Sequence, residues 1–141
     1  MLTPLFAARF GSAEGERAAE KAVELSNKVG GADQRVRALF GLSLTYSARG
    51  KIRRGREVAE QMLAVAERLQ ERESVAYAHN LMGNNLFWLA ELRAARMHLE
   101  KGIALYQPEW SRSLAFRFGF NCASTCHFFL GRVLLHLGYP D

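Results

Sequence analysis

Histidines and cysteines are the residues of this 141-residue chain that could hold a metal ion or act as a nucleophile and its base. Cys122 and Cys126 stand one helical turn apart, and His127 follows directly. Structural zinc takes four ligands, and the sequence offers no second pair at comparable spacing. We therefore predict core roles for these side chains, and we predict neither a metal nor a cofactor. The full set is His79, His98, His127, His136, Cys122 and Cys126.

The sequence does not predict an enzyme active site. A cysteine nucleophile needs a histidine base that an acid or an amide orients, and no such third residue is recognisable here. The sequence has no glycine-rich phosphate loop ending in Gly-Lys-Ser or Gly-Lys-Thr. Paired aspartates that could hold catalytic metal ions are missing as well. We therefore expect a protein that is not an enzyme.

Composition is typical of a soluble, helical domain. Hydrophobic residues make up 49% of the chain and charged residues 23%, which is too apolar for a disordered chain. No uncharged apolar run approaches the roughly 18 residues that a membrane span needs, and the N-terminus lacks the features of a secretory signal. Long stretches of Ala, Leu, Glu and Arg favour helix. We expect a cytoplasmic, all-α protein without a membrane partner.

The net charge of +5 raises the question of nucleic-acid binding. Most arginines are dispersed among glutamates, which is typical of solvated helix faces. Only Lys51 to Arg56 forms a basic cluster, and it could neutralise a few phosphates. No element that could read bases stands beside it. The sequence therefore predicts no nucleic-acid partner.

Apolar residues recur at helical spacing along the chain, and the pattern breaks where helices should end. Ser12, Asp33, Ser74 and Asn121 are the predicted N-caps, and Gly50 is a predicted left-handed stop. Helices joined by such short turns must lie antiparallel, so they form helical hairpins. The predicted helices cover about 3–11, 13–29, 34–49, 52–71, 75–90, 92–106 and 122–138, with a looser segment over 109–119.

These hairpins repeat along the sequence. A shift of 40 residues brings Gly15, Gly55 and Ala95 into register, and a shift of 48 carries Gly83 onto Gly131. Small residues at fixed places let two helices approach closely, and each hairpin needs a neighbour to bury its apolar face. The sequence therefore predicts a single repeat domain over 1–141. Its repeats cover about 1–31, 35–73, 75–110 and an incomplete 121–141.

The order of large and small residues in the middle repeat resembles the tetratricopeptide signature. That order reads Met82, Gly83, Leu86, Ala90, Leu92, Ala95, Leu99, Gly102 and Pro108. The preceding repeat departs from the signature, with Ser43 in place of the usual Gly and Gly55 in place of the usual Ala. The usual Trp near the start of each repeat is also missing. The resemblance implies antiparallel hairpins stacked as a right-handed superhelix, an α-solenoid.

A narrower resemblance covers about the last two-thirds of the chain. Three stretches resemble the C-terminal repeat region of bacterial signalling proteins that join a class III nucleotide cyclase, an AAA-type ATPase and a tetratricopeptide tail. They read ARGKIRRGREVAEQMLAVAERL, LFWLAELRAARMHLEKGIALYQPE and SRSLAFRFGFNCASTCHFFLGRVLLHLGYPD. Neither the cyclase nor the ATPase is present. Because the chain begins and ends inside the repeat pattern, we expect a fragment of a longer protein or a truncated relative of one.

The repeat register also predicts a binding groove, because the first helix of each stacked hairpin lines the concave face. Aromatic side chains beside amides and arginine are typical of peptide recognition. Asn84 with Arg132 resembles the carboxylate clamp of chaperone-binding members of the family, without the lysines of that clamp. Phe87 and Trp88 could equally pack against a neighbouring hairpin. The groove residues are Arg37, Phe40, Leu44, Ser47, Tyr77, Asn80, Asn84, Phe87, Trp88, Thr125, Phe128, Arg132 and His136.

The leading hypothesis is an interaction scaffold that binds a protein or a peptide, as a regulatory or assembly module of a cyclase-linked signalling protein. The alternative is a sensor whose groove takes a small molecule or a peptide and regulates an attached catalytic domain. A closed apolar pocket would favour the sensor, and an open groove the scaffold. We also expect a homodimer through the last helix, because one hairpin cannot cover all of its apolar residues. These residues are Phe128, Phe129, Leu130, Val133, Leu134 and Leu137.

Overall fold

A computed structural model of the chain describes residues 10–110, 118–119 and 121–139. These residues form six α-helices, the first five of which are joined by short turns, and this confirms the all-α prediction. The helices are α1 (Ala13–Lys28), α2 (Ala32–Ala48), α3 (Ile52–Leu69), α4 (Arg72–Trp88), α5 (Leu92–Leu105) and α6 (Cys122–His136), and a 3-10 turn spans Pro108–Trp110. The helix expected over 3–11 lies almost wholly outside the described residues. No helix in the described part of the chain is long and apolar enough to cross a bilayer.

Two of the predicted N-caps are confirmed. The Gly15 amide donates to Ser12 Oγ at 2.9 Å, and the Ser124 amide donates to Asn121 Oδ1 at 3.1 Å. Each bond satisfies one of the first amides of a helix, which have no partner inside the helix. Ser12 and Asn121 therefore fix where α1 and α6 begin.

The other two predicted N-caps are wrong, because both residues already lie inside the first helical turn. Helix α2 is capped by Gly31, whose amide donates to Gln34 Oε1 at 3.2 Å, and Asp33 follows two residues later. Helix α4 is capped by Glu71, and the Ser74 hydroxyl donates to the Glu71 carboxylate at 2.7 Å. In both helices an upstream residue with extended backbone takes the capping position.

Helices α2, α4 and α6 end in the same way, at positions 40 and 48 residues apart. Gly50, Ala90 and Gly138 have left-handed φ values of 76°, 61° and 90°. The next amide then donates to a carbonyl five residues earlier, as Glu91 does to Leu86 at 2.9 Å. This is the hydrogen bond of a Schellman motif. The left-handed helix ends thus recur at the same spacings of 40 and 48 residues as the small side chains of the repeats.

Neighbouring helices pack in a pattern that suits helical hairpins. Each helix contacts the next along the chain, and α2 contacts α4, as α4 contacts α6. The first helices of successive hairpins are therefore neighbours. The right-handed superhelical path of the stack stays a prediction.

Small residues allow the closest helix contacts. A Cβ atom on Gly83 of α4 would lie 2.4 Å from Leu99 Cγ of α5, and one on Gly55 of α3 would lie 2.6 Å from Asn85 Oδ1 of α4. Ser43 occupies the register position of Gly83 in α2, and its hydroxyl donates to the Gly55 carbonyl at 2.8 Å. In the hairpin of α4 and α5 the glycine of this contact is on the first helix. In the hairpin of α2 and α3, whose sequence departs from the signature, the glycine is on the second helix.

We expect Gly83→Ala to lower the free energy of unfolding by about 1–3 kcal/mol, because the added methyl group overpacks a site where Leu99 is fully buried. Gly131 is the matched control, since it has the same register on α6 and a Cβ atom there would meet no other element of the described structure within 4 Å. Gly131→Ala should raise the free energy of unfolding by about 0.5–1 kcal/mol through helix propensity. Urea unfolding followed by circular dichroism measures both. Equal effects at the two positions would contradict the packing of α5 on Gly83.

Candidate functional site

The predicted groove residues divide by their exposure to solvent. The buried ones are Phe40, Leu44, Tyr77, Asn80 and Phe87. The solvent-exposed ones are Arg37, Trp88, Phe128, Arg132 and His136, and the half-buried ones are Ser47, Asn84 and Thr125. The predicted groove is therefore not one continuous open surface.

Phe118 fills the part of the groove between α2 and α4. Its ring stacks on Tyr77 with 4.3 Å between the centroids and meets the edge of Phe40 at 4.8 Å. Tyr77 is wholly buried, and Phe118 and Phe40 are each only 6% exposed. The interpretation of 109–119 as a looser segment misses this residue, although the aromatic density of AFRFGF is a signal that could have found it. Phe40 and Tyr77 are core residues in this structure.

Asn80 and the two cysteines form a buried polar contact between α4 and α6. The Asn80 side-chain amide donates to Cys126 Sγ at 3.2 Å, and the two sulfur atoms lie 3.9 Å apart. The contact with Cys126 and burial raise the pKa of the Cys122 thiol, so this thiol stays protonated. Among the described residues, no group of three or more His, Cys, Asp or Glu side chains could hold a metal ion. The geometry gives Asn80 a structural role.

A histidine pair joins α4 to α5. His79 Nδ1 and His98 Nδ1 lie 2.8 Å apart, so one ring donates its N–H and the other accepts. His79 is only 5% exposed. Burial, the neighbouring His98 and Lys101 lower the pKa of His79 to about 4, and burial followed by Lys101 lowers the pKa of His98. The pair is therefore neutral at physiological pH.

The open part of the predicted groove lies where α4 and α6 meet near their C-terminal ends. We call it the aromatic–arginine surface, and it consists of Phe87, Trp88, Phe128, Arg132 and His136. The Arg132 guanidinium carbon lies 5.3 Å from the Phe87 ring centroid and 5.6 Å from that of Phe128. Phe87 also contacts Trp88 and His136 edge to face, at 5.2 Å and 5.7 Å between centroids. Trp88 is 57% exposed and Phe128 58% exposed.

The aromatic–arginine surface is electropositive. Helix α6 contains no Asp or Glu, and no carboxylate in the described ranges forms an ion pair with Arg132. The ring faces below the guanidinium favour a cation there. Asn84, one turn before Trp88, has a buried side-chain oxygen without a hydrogen-bond partner among the described residues. The surface thus offers a cation and exposed rings, and the Asn84 oxygen lies buried beneath solvent-accessible atoms.

The basic cluster over 51–56 is partly neutralised by neighbouring carboxylates. Lys51 contacts Glu16 of α1, and Arg56 forms an ion pair with Glu91 at 3.3 Å. These contacts cross between hairpins, so they belong to the packing of the fold. The cluster therefore presents fewer free cations than its sequence suggests.

Comparison with known proteins adds no family to this description. No protein-family model matches the chain, and neither a curated protein nor a solved structure is significantly similar to it. The tetratricopeptide resemblance therefore stays a prediction. The geometry itself defines an all-helical protein with an exposed aromatic–arginine surface.

Proposed function

We propose that this chain is a protein-interaction scaffold that binds a partner peptide on the aromatic–arginine surface. The exposure of Trp88, which packs against Phe87, and of Phe128, which lies under the Arg132 guanidinium, carries the proposal. Trp, Tyr and Arg dominate the energetics of protein interfaces, and clustered exposed aromatics often mark binding sites. A partner that covers these rings would remove a large apolar area from water.

The surface favours an acidic peptide with an aromatic or aliphatic side chain beside the acid. A guanidinium group binds a carboxylate through two parallel hydrogen bonds, and Arg132 has no described carboxylate of its own. Trp88 and Phe128 would contact the apolar side chain.

The shape of the recesses elsewhere in the described structure supports a scaffold over a sensor. The described recesses, such as one of about 370 Å³ beside Arg35 and Val65, open onto solvent instead of forming an enclosed cavity. Small-molecule sites usually bury most of their ligand. The resemblance to cyclase-linked repeat regions extends the proposal to a regulatory or assembly role in such a signalling protein.

Peptide selection tests this proposal. We expect a random peptide library, panned against the purified chain, to yield peptides with Asp or Glu next to an aromatic or aliphatic residue. Arg132→Ala and Trp88→Ala should each weaken a selected peptide by about tenfold, or about 1.4 kcal/mol. Fluorescence anisotropy with the labelled peptide measures the affinity.

Arg93→Ala is the matched control, because Arg93 is an exposed arginine on α5 and its loss changes the net charge equally. It should leave peptide affinity unchanged. Enrichment of no peptide, or equal losses in the Arg93 and Arg132 variants, would contradict a specific site on the aromatic–arginine surface.

A further inference from the structure

Helix α4 shows what normally covers the first helix of a hairpin. Its face towards α5 and α6 is buried, with Asn80 1% exposed and Phe87 7% exposed. Between them, Gly83 lies directly beneath Leu99 of α5. A close helix contact at a glycine, flanked by two buried side chains, therefore defines a helix-docking face in this fold.

Residues 10–110, 118–119 and 121–139 leave the same face of α6 uncovered. A shift of 48 residues carries the α4 positions onto Phe128, Gly131 and Leu135, which we call the α6 stripe. Phe128 is 58% exposed and Leu135 is 65% exposed, and in the described part of the chain no atom from outside this stretch of α6 lies within 4 Å of a Cβ atom built on Gly131. The three residues follow the i, i+3, i+7 spacing of one helix face. The stripe thus has the pattern of a helix-docking face without its helix.

We propose that the α6 stripe is a homodimer interface, in which α6 of a second copy packs antiparallel across it. Phe128 lies three residues before Gly131, and Leu135 lies four residues after it. A two-fold axis beside Gly131 therefore brings Phe128 of each copy onto Leu135 of the other. The glycine at the crossing lets the two backbones approach, as Gly83 does for α5.

The symmetry of the stripe is what selects a second copy as its occupant. A two-fold interface must be complementary to itself, and one large apolar residue on each side of a glycine satisfies this condition. The stripe carries no charge that needs an opposite charge on a partner. Arg132 lies about 100° around the helix from Gly131, and its guanidinium lies over Phe87 and Phe128, at the edge of the crossing.

The contact area sets the strength of the dimer. A helix of 15 residues is about 22 Å long, so a single pair of helices buries less than a standard stable interface. We expect a weak dimer whose population rises with protein concentration. The dimer interface and the peptide site share Phe128, so the two partners compete for that ring, and Gly131 and Leu135 belong to the dimer interface alone.

Sedimentation velocity over a concentration series tests the dimer, with circular dichroism as a check of folding. Wild type should shift from monomer to dimer as concentration rises. Leu135→Glu should weaken association at least about tenfold, because it places a charge in the contact. Val29→Glu is the control, since Val29 follows the last residue of α1, is 85% exposed and lies far from α6 in the packing order. It should associate like wild type.

The Gly131→Leu variant tests whether dimerisation depends on close helix packing at Gly131 or only on exposed apolar surface. It adds apolar surface in open space, so the monomer should fold, yet it blocks the close crossing and should weaken the dimer. Gly131→Cys should form a disulfide-linked dimer under mild oxidation, because the native cysteines are buried. A wild type that stays monomeric at every concentration would overturn the proposal, and so would stronger association of the Gly131→Leu variant. Leu135→Glu should bind a selected peptide with the affinity of wild type, because Leu135 lies outside the aromatic–arginine surface. Loss of dimerisation with unchanged peptide affinity therefore separates the two proposals.

Discussion

Phe118→Ala is expected to lower the free energy of unfolding by about 3–5 kcal/mol. The ring fills the space between Phe40 and Tyr77, and its loss would leave a cavity that these buried rings cannot close without moving. Native domains are stable by only about 5–15 kcal/mol, so the change removes a large share of the total. Chemical unfolding followed by circular dichroism measures the difference.

Phe128→Ala is the matched control, because it removes the same ring from an exposed position. Its effect should stay within about 0.5 kcal/mol. Phe118→Leu should fall between the two, since leucine keeps part of the buried volume. An effect of Phe118→Ala no larger than that of Phe128→Ala would contradict the placement of the Phe118 ring between α2 and α4.

The position of Phe118 also limits where a partner can bind. If its ring is as strongly held as this prediction states, the region around Phe40 and Tyr77 is part of the core. A partner would then contact the chain only where rings remain exposed, near Trp88 and Phe128. A large loss of stability in Phe118→Ala would therefore support the location of the proposed peptide site near Trp88 and Phe128.

Local signals in the sequence predicted the helix ends that depend on local chemistry. Gly50 and Gly138 mark left-handed stops because glycine adopts positive φ at little cost. The N-cap predictions at Asp33 and Ser74 are wrong because each residue stands within three residues of another residue that can cap the helix. The choice between such neighbours depends on how the preceding turn packs, and hydrophobic periodicity carries no information about that.

The candidate site was predictable only in part, for a similar reason. The repeat register placed Trp88 and Arg132 on helices that do meet. It gave no information on Phe118, which reaches Tyr77 from 41 positions further along the chain and outside any repeat. It also missed the exposure of Leu135, which becomes visible only when α6 is compared with the covered face of α4.

The histidine pair predicts that stability falls in mild acid. The pKa of His79 is about 4 in the folded chain and about 6.5 in an ordinary setting. Below pH 6.5 the unfolded chain therefore takes up a proton that the folded chain refuses until about pH 4. Protonation then favours unfolding, so the stabilising contribution is present above pH 6.5 and is lost as pH falls towards 4. Burial of His98 acts in the same direction.

We expect the free energy of unfolding to decrease by about 1–3 kcal/mol between pH 7 and pH 4 because of this pair, at up to about 1.4 kcal/mol for each pH unit. Urea unfolding at a series of pH values measures the slope. His79→Gln should flatten the curve in this range, since a glutamine amide can donate to His98 Nδ1 but does not titrate.

His127→Gln is the control for this experiment, because His127 has the register position of His79 on α6 and is exposed. Removing it should leave the slope as in wild type. The two histidines differ in their surroundings, because α5 covers His79 and supplies its partner His98, whereas His127 is exposed. A flatter curve for His79→Gln alone would therefore trace the acid sensitivity to packing of α5 on α4, and a flatter curve for both variants, or for neither, would contradict that origin.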